Sequence, residues 1–301
     1  MQLERSLATI AIKVAMAPLM TAELILTPVN TAPNFETGSI FFVGNATVIL
    51  RYGGFTVLTD PNFLHQGDHA HLGYGLKSLR LTNPAIDLED LPPIDFVLLS
   101  HMHEDHFDRV VAEKLRKSIP IITTHQATKS LRRLGFQLLY PLHTWEKLTI
   151  RKGEAMLSLT SLPARHGPPI IASALPCVMG SLLEFQTDGV SRFRLYITGD
   201  TLVYDDIKEI PKRYPKIDLA LLHLGGTQIF GMLLTMNAKQ GIEMIRIVAP
   251  RKAIPIHFND YHVFRSPLEE FIEAVRTAGL ESQVDYLNHG ETYTFRAASL
   301  V

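Results

Sequence analysis

The 301 residues are 46% apolar and 20% charged, the balance of a globular chain able to bury a sizeable core. A net charge of −1, from 29 basic against 30 acidic residues, gives no bulk attraction to nucleic acid, and no nucleic-acid partner is expected. The single cysteine, Cys177, cannot form an internal disulfide, which suits a reducing, cytoplasmic setting. No stretch of uninterrupted apolar residues is long enough for a transmembrane helix.

Residues 7–29 are apolar apart from Lys13, Glu23 and a few threonines, with Pro18 inside. Glu4 and Lys13 argue against a signal peptide. Ala8, Ile12 and Met16 share one helical face, and Glu23 to Leu26 reads as the start of a strand. Residues 1–37 are therefore expected to form an appended helix and linker that packs on the main domain or on another subunit of a homo-oligomer. A membrane-surface anchor is the alternative. Pro28, Pro33 and Asn34 mark the boundary segment, and residues 38–301 form the main domain.

Residues 39–43 and 47–52 read as strands across a Gly44-Asn45 turn, and Gly53-Gly54 turns the chain into a strand ending at Asp60-Pro61. The insertion that follows, residues 62–75, is rich in His and Gly (His65, His69, His71). It is either a lid or substrate wall or a solvated loop.

The apolar run Phe96-Val97-Leu98-Leu99 predicts a buried strand, and Asp108 caps a helix over 109–117. Between them lies His101-Met102-His103-Glu104-Asp105-His106, three histidines and two carboxylates in six positions. Neutral imidazoles and carboxylates are the ligands that zinc and similar ions prefer, and a loop at the carboxyl end of a strand is where α/β sheets place ligands. A lone histidine there is commonly structural; His101, His103, Asp105 and His106 on one short loop point to a metal.

A short strand over 119–124 and a helix over 126–134 follow, and then strands over 144–150, 156–162 and 180–186. Three further apolar runs end in potential ligands: residues 156–166 at His166, 194–200 at Asp200 and 253–257 at His257. A strand over 218–222 leads into His223-Leu224-Gly225-Gly226, with His223 read as an oxyanion donor or a structural histidine. Asn237 caps a helix to about residue 248, residues 267–278 form the last helix, and 293–296 the last strand. Tyr261 or His262, just past His257, is a candidate to protonate a leaving group. Arg80 and Arg165 are candidate phosphate contacts, and surface ion pairing explains either equally well.

In chain order, Asp60, the HxHxDH cluster, His166, Asp200 and His257 resemble the landmarks of the metallo-β-lactamase superfamily over roughly residues 38–296. The resemblance implies an αββα sandwich, an α/β fold of which spacing alone supports only the mixed class. It implies that His101, His103 and His166 bind one metal and that Asp105, His106 and His257 bind a second. Asp200 would bridge the two ions, and Asp60 would hold the histidine loop through hydrogen bonds. Two divalent ions, zinc first and manganese or iron as alternatives, can share a water and lower its pKa, so no Ser or Cys nucleophile is required. Asp105 would orient that water or accept its proton.

Within the superfamily, the segments TDP, PARH, ITGDT and IPIHF are similar to the branch of L-ascorbate-6-phosphate lactonase and N-acylphosphatidylethanolamine phospholipase D. This chain departs from that branch around residues 232–237, where it has Leu and Thr. The expectation is a hydrolase of a small phosphodiester or lactone. The alternatives are iron-dependent oxygen chemistry on the same scaffold, or β-lactamase activity at a low level, since Asp200 stands where zinc β-lactamases commonly carry Cys.

Overall fold

Strands that are apolar on both faces must be covered twice, and that requirement sets the architecture. In the computed structural model, which describes residues 22–28 and 33–297, two seven-stranded sheets stack on a shared core. The expected helix around Ala8, Ile12 and Met16 lies outside the described residues.

The chain opens with β1 (Ala22–Leu26), β2 (Thr37–Gly44), β3 (Thr47–Tyr52) and β4 (Phe55–Thr59). A small hairpin follows, β5 (His69–His71) and β6 (Lys77–Leu79), and then β7 (Phe96–Leu98), β8 (Ile121–Thr123) and β9 (Leu139–Pro141). Next come β10 (Lys147–Lys152), β11 (Ala155–Leu162), β12 (Gly180–Thr187), β13 (Val190–Ile197) and β14 (Leu219–His223). A second small hairpin, β15 (Gln228–Ile229) and β16 (Met232–Leu233), precedes β17 (Lys252–Ile256) and β18 (Thr292–Arg296). The helices are α1 (Arg109–Lys114), α2 (His125–Arg133), α3 (Pro169–Ala172), α4 (Glu209–Arg213), α5 (Ala238–Val248) and α6 (Leu268–Ala278).

One sheet runs β18-β2-β3-β4-β7-β8-β9 and the other β1-β10-β11-β12-β13-β14-β17. Their facing sides meet in a core that includes Phe42, Phe55 and Phe96 from the first and Leu157, Phe185 and Leu195 from the second. The outer face of the first sheet packs Val97 and Leu58 on Val111 of α1 and Leu131 of α2. That of the second packs Tyr196 and Leu222 on Ile210, Met244, Ile245 and Phe271 of α4 to α6. This is the αββα sandwich. Strand β1 pairs in parallel with β10, so the strand expected at Glu23 to Leu26 is an edge of the second sheet.

The arrangement gathers strand ends. β4, β7, β8 and β9 run parallel in one sheet, and β13, β14 and β17 run parallel in the other. Asp60, Ser100-His101, Asp200, His223 and His257 all lie at or just past the carboxyl ends of such strands. Asp108 accepts a hydrogen bond from Val111 N, the expected cap, but α1 ends at Lys114 because Leu115 turns extended toward the strand entered through Pro120. The strand expected at 144–150 starts instead at Lys147, since Trp145 adopts φ 72° in a turn and its N–H bonds Ser161 O.

Candidate metal centre

Several of the strand-end loops need unusual backbone. Asp60 has φ 33° and His257 φ 60°, in the left-handed region that β-branched and bulky residues avoid. Gly199, just before Asp200, has φ 62°, and a Cβ there would lie 2.8 Å from Met179 O, so only glycine fits.

These loops bring the ligand-type side chains into two adjoining groups. His101, His103 and His166 form one, and Asp105, His106, Asp200 and His257 the other; within each group one donor atom per residue lies within 4.8 Å of the others. Asp200 reaches both. Its Oδ2 lies 3.3 Å from His106 Nε2, 3.9 Å from His166 Nε2 and 4.0 Å from His101 Nε2. His257 Nε2 is 3.6 Å from Asp200 Oδ1 and 3.5 Å from Asp105 Oδ2. Bonds of about 2.0–2.1 Å in tetrahedral geometry place ligand atoms roughly 3.3 Å apart, so these separations suit a cation between them.

The polar accounting points the same way. Buried atoms without a hydrogen-bond partner include Asp105 Oδ1, His106 Nε2, Asp200 Oδ1 and His257 Nε2, the four residues of one group. Buried polar atoms are nearly always paired, so one unpartnered atom on each of four clustered ligand-type residues fits a metal-binding group.

The far sides of the imidazoles are held. His166 Nδ1 donates to Leu234 O at 3.0 Å and His257 Nδ1 to Leu224 O at 3.3 Å, which leaves each Nε2 lone pair free. His101 Nδ1 lies 3.0 Å from Ser100 Oγ. Asp60 organises the loop: Oδ1 accepts from Ser100 N at 2.6 Å, and Oδ2 sits 3.1 Å from His106 Nδ1 and 3.3 Å from His223 Nε2.

Charge follows burial and neighbours. Burial pushes His101 well below the usual imidazole value, His103 down to about 4, and His166 down, so all three are neutral donors at neutral pH. Burial also opposes charge on His106, but Asp200, then Asp105 and Asp60, overcome it and raise its pKa well above the ordinary value. Asp200 is held well below the usual carboxylate range: burial works upward, and His257 and His106 outweigh it. Asp60 is held at about 2 against burial by His106 and His223.

All seven expected ligands and Asp60 therefore converge. The other candidates divide. His223 is fully buried behind His106, its rings stacked at 5.9 Å, with Nε2 on Asp60 and Nδ1 3.3 Å from Thr198 Oγ1. Both nitrogens are engaged, which corrects the oxyanion reading to a supporting one. Tyr261 is buried and its hydroxyl donates to Asn62 Oδ1, so that proton is already engaged within the protein. His262 is exposed, and its N–H bonds Leu79 O. Arg80 is fully buried, with Nη2 3.4 Å from Asp260 Oδ1, and is no phosphate contact. Arg165 stacks on Tyr204 at 4.1 Å. The His-rich insertion supplies β5 of the β5–β6 hairpin and is tied to the cluster loop by His71 N donating to Glu104 Oε2 at 2.7 Å.

The family model described as "Beta-lactamase superfamily domain" matches residues 56–258, which contain every residue of the two groups. The chain belongs to the beta-lactamase superfamily. A UPF0173 metal-dependent hydrolase of Archaeoglobus fulgidus is 31% identical over 211 residues, spanning 67% of this chain and 82% of that protein. The chain is thus an enzyme of that metal-dependent hydrolase family. Among solved structures, an isothiocyanate hydrolase from Delia radicum gut bacteria aligns with TM-score 0.74 at 19% identity, over 86% of this chain and 100% of that one. CmlA, a diiron β-hydroxylase from Streptomyces venezuelae, aligns with TM-score 0.61 at 17% identity, over 87% of this chain and 54% of that one. At such identities the likeness is one of fold. Among the described residues, no helix of this hydrolase is long and apolar enough to cross a membrane.

Proposed function

We propose that this hydrolase works with two divalent ions, zinc first and manganese or iron as alternatives, on a small ester-type substrate, a phosphodiester or a lactone. His101, His103 and His166 would hold one ion, and Asp105, His106 and His257 the other, with Asp200 shared between them. The observation that carries this reading is a buried cluster of two carboxylates and two imidazoles, each with an unpartnered atom, beside a second set of three neutral imidazoles. Two such ions, when bound, lower the pKa of a shared water toward neutrality and polarise the oxygen under attack.

The protein's own groups do the rest. Asp60 and Leu224 O orient His106 and His257, so that ligand lone pairs point inward. Asp105 Oδ1, buried and unpartnered, can accept a proton from the attacking water or fix its direction. His262, exposed and five residues past His257, would protonate the leaving group. The TDP, PARH, ITGDT and IPIHF segments support the lactone or phosphodiester class.

The test is hydrolysis of a chromogenic phosphodiester and of a lactone panel by protein loaded with zinc or manganese. Turnover of one class, abolished in Asp105→Ala, is expected. His262→Ala should lower kcat by about 10²-fold or more with metal content unchanged. No turnover from fully loaded protein, with oxygen consumption by the iron-loaded form, would overturn the reading.

A further inference from the structure

The turn between β2 and β3 carries no charged and no metal-binding side chain, yet it reaches both sides of the carboxylate-rich group. Asn45 is fully buried, with φ 52°. Its Nδ2 donates to Asp105 O at 2.6 Å, and its carbonyl accepts from His257 N at 2.7 Å. Its own N–H donates to Asp260 Oδ2 at 2.8 Å. Asp260 is in turn fixed by Thr82 Oγ1, by His289 Nε2 at 3.3 Å and by Arg80 Nη2 at 3.4 Å. Asn45 thus spans two ligands that come from different sheets and sits on a buried ionic anchor.

Neither ligand has regular structure to hold it there. Asp105 lies in a turn between β7 and α1, and His257 has left β17 in a left-handed conformation. A metal site tolerates errors of only about 0.2 Å in ligand distance, so loops of this kind need an external brace. Asparagine meets each requirement. It tolerates the left-handed backbone, and its amide donates where aspartate could not. Among the described hydrogen bonds, none joins Asn45 to His101, His103 or His166.

We infer that Asn45 is a positioning residue for one half of the centre: by clamping Asp105 to His257 it sets the affinity of the carboxylate-rich group for its ion and leaves the three-histidine group unaffected. The inference rests on the two-ion reading above.

Asn45→Gly tests it, because glycine keeps the left-handed backbone and both main-chain bonds and removes only the amide on Asp105. Asn45→Asp, nearly isosteric, is the companion if the glycine variant fails to fold. Zinc-loaded proteins are dialysed against chelators of graded strength, zinc per chain is measured, and thermal unfolding of the metal-free forms is followed. The expected result is loss of one zinc about 10–100-fold more readily than in the wild type, the usual scale for a residue behind a ligand, with the other retained. Two zincs held as tightly as in the wild type would overturn the inference and leave the two-ion reading intact. Parallel loss of both, tracking a lower unfolding temperature of the metal-free form, would also overturn it, since that is a purely structural role. A wild type that never holds two zincs would overturn the two-ion reading, and the inference with it.

Discussion

The two groups of the candidate metal centre are built on opposite principles. The three-histidine group consists of imidazoles that burial keeps neutral, and one of them, His103, is only half-buried. The carboxylate-rich group is buried throughout, holds Asp105 and Asp200 against His106 and His257, and leaves four donor atoms unpaired. Each unpaired buried polar atom costs about 1–3 kcal/mol, so this half carries the larger desolvation cost. The bracing follows that difference. Asp60, Leu224 O and Asn45 all act on the carboxylate-rich side, whereas His166 is backed by Leu234 O and His101 by Ser100. Where burial and charge make a site costly, the fold supplies more contacts to hold it.

Removing the shared carboxylate breaks the comparison altogether. Asp200→Ala takes away a carboxylate that reaches both groups, and we expect elemental analysis to find both ions gone and activity at background. One ion retained at full affinity would show that Asp200 serves a single group. A gentler change sharpens the contrast. Asp60→Ala removes the partner of His106 Nδ1, and affinity for the ion of the carboxylate-rich group should fall by about 10–100-fold in a chelator competition, with the three-histidine group changed less. Equal weakening of both would mean that Asp60 supports the whole loop through Ser100 N rather than one half of it.

Much of this centre is legible in the sequence because its chemistry is local. His101, His103, Asp105 and His106 share one loop, and Asp60, His166, Asp200 and His257 each close an apolar run that had to be a buried strand. The sandwich itself followed only through family resemblance, since the pairing of β4 with β7 or β14 with β17 is not written in periodicity. What stayed hidden depends on contacts far apart in the chain. Asn45 looks like an ordinary Gly-Asn turn, and its partners Asp105, His257 and Asp260 are brought to it by the fold. Arg80 reads as a phosphate contact or a surface ion pair until the fold buries it beside Asp260, and the choice between oxyanion donor and structural histidine stays open for His223 until Asp60 and Thr198 are seen beside its nitrogens. The β5–β6 hairpin escaped because its strands are three residues long and its composition is that of a loop.

The most direct test of the two-ion account is a crystal structure of zinc-loaded protein with anomalous scattering measured at the zinc edge. The account predicts two peaks per chain, one among His101, His103 and His166, the other among Asp105, His106 and His257, with Asp200 touching both. A single peak, or a second one away from the carboxylate-rich group, would contradict it.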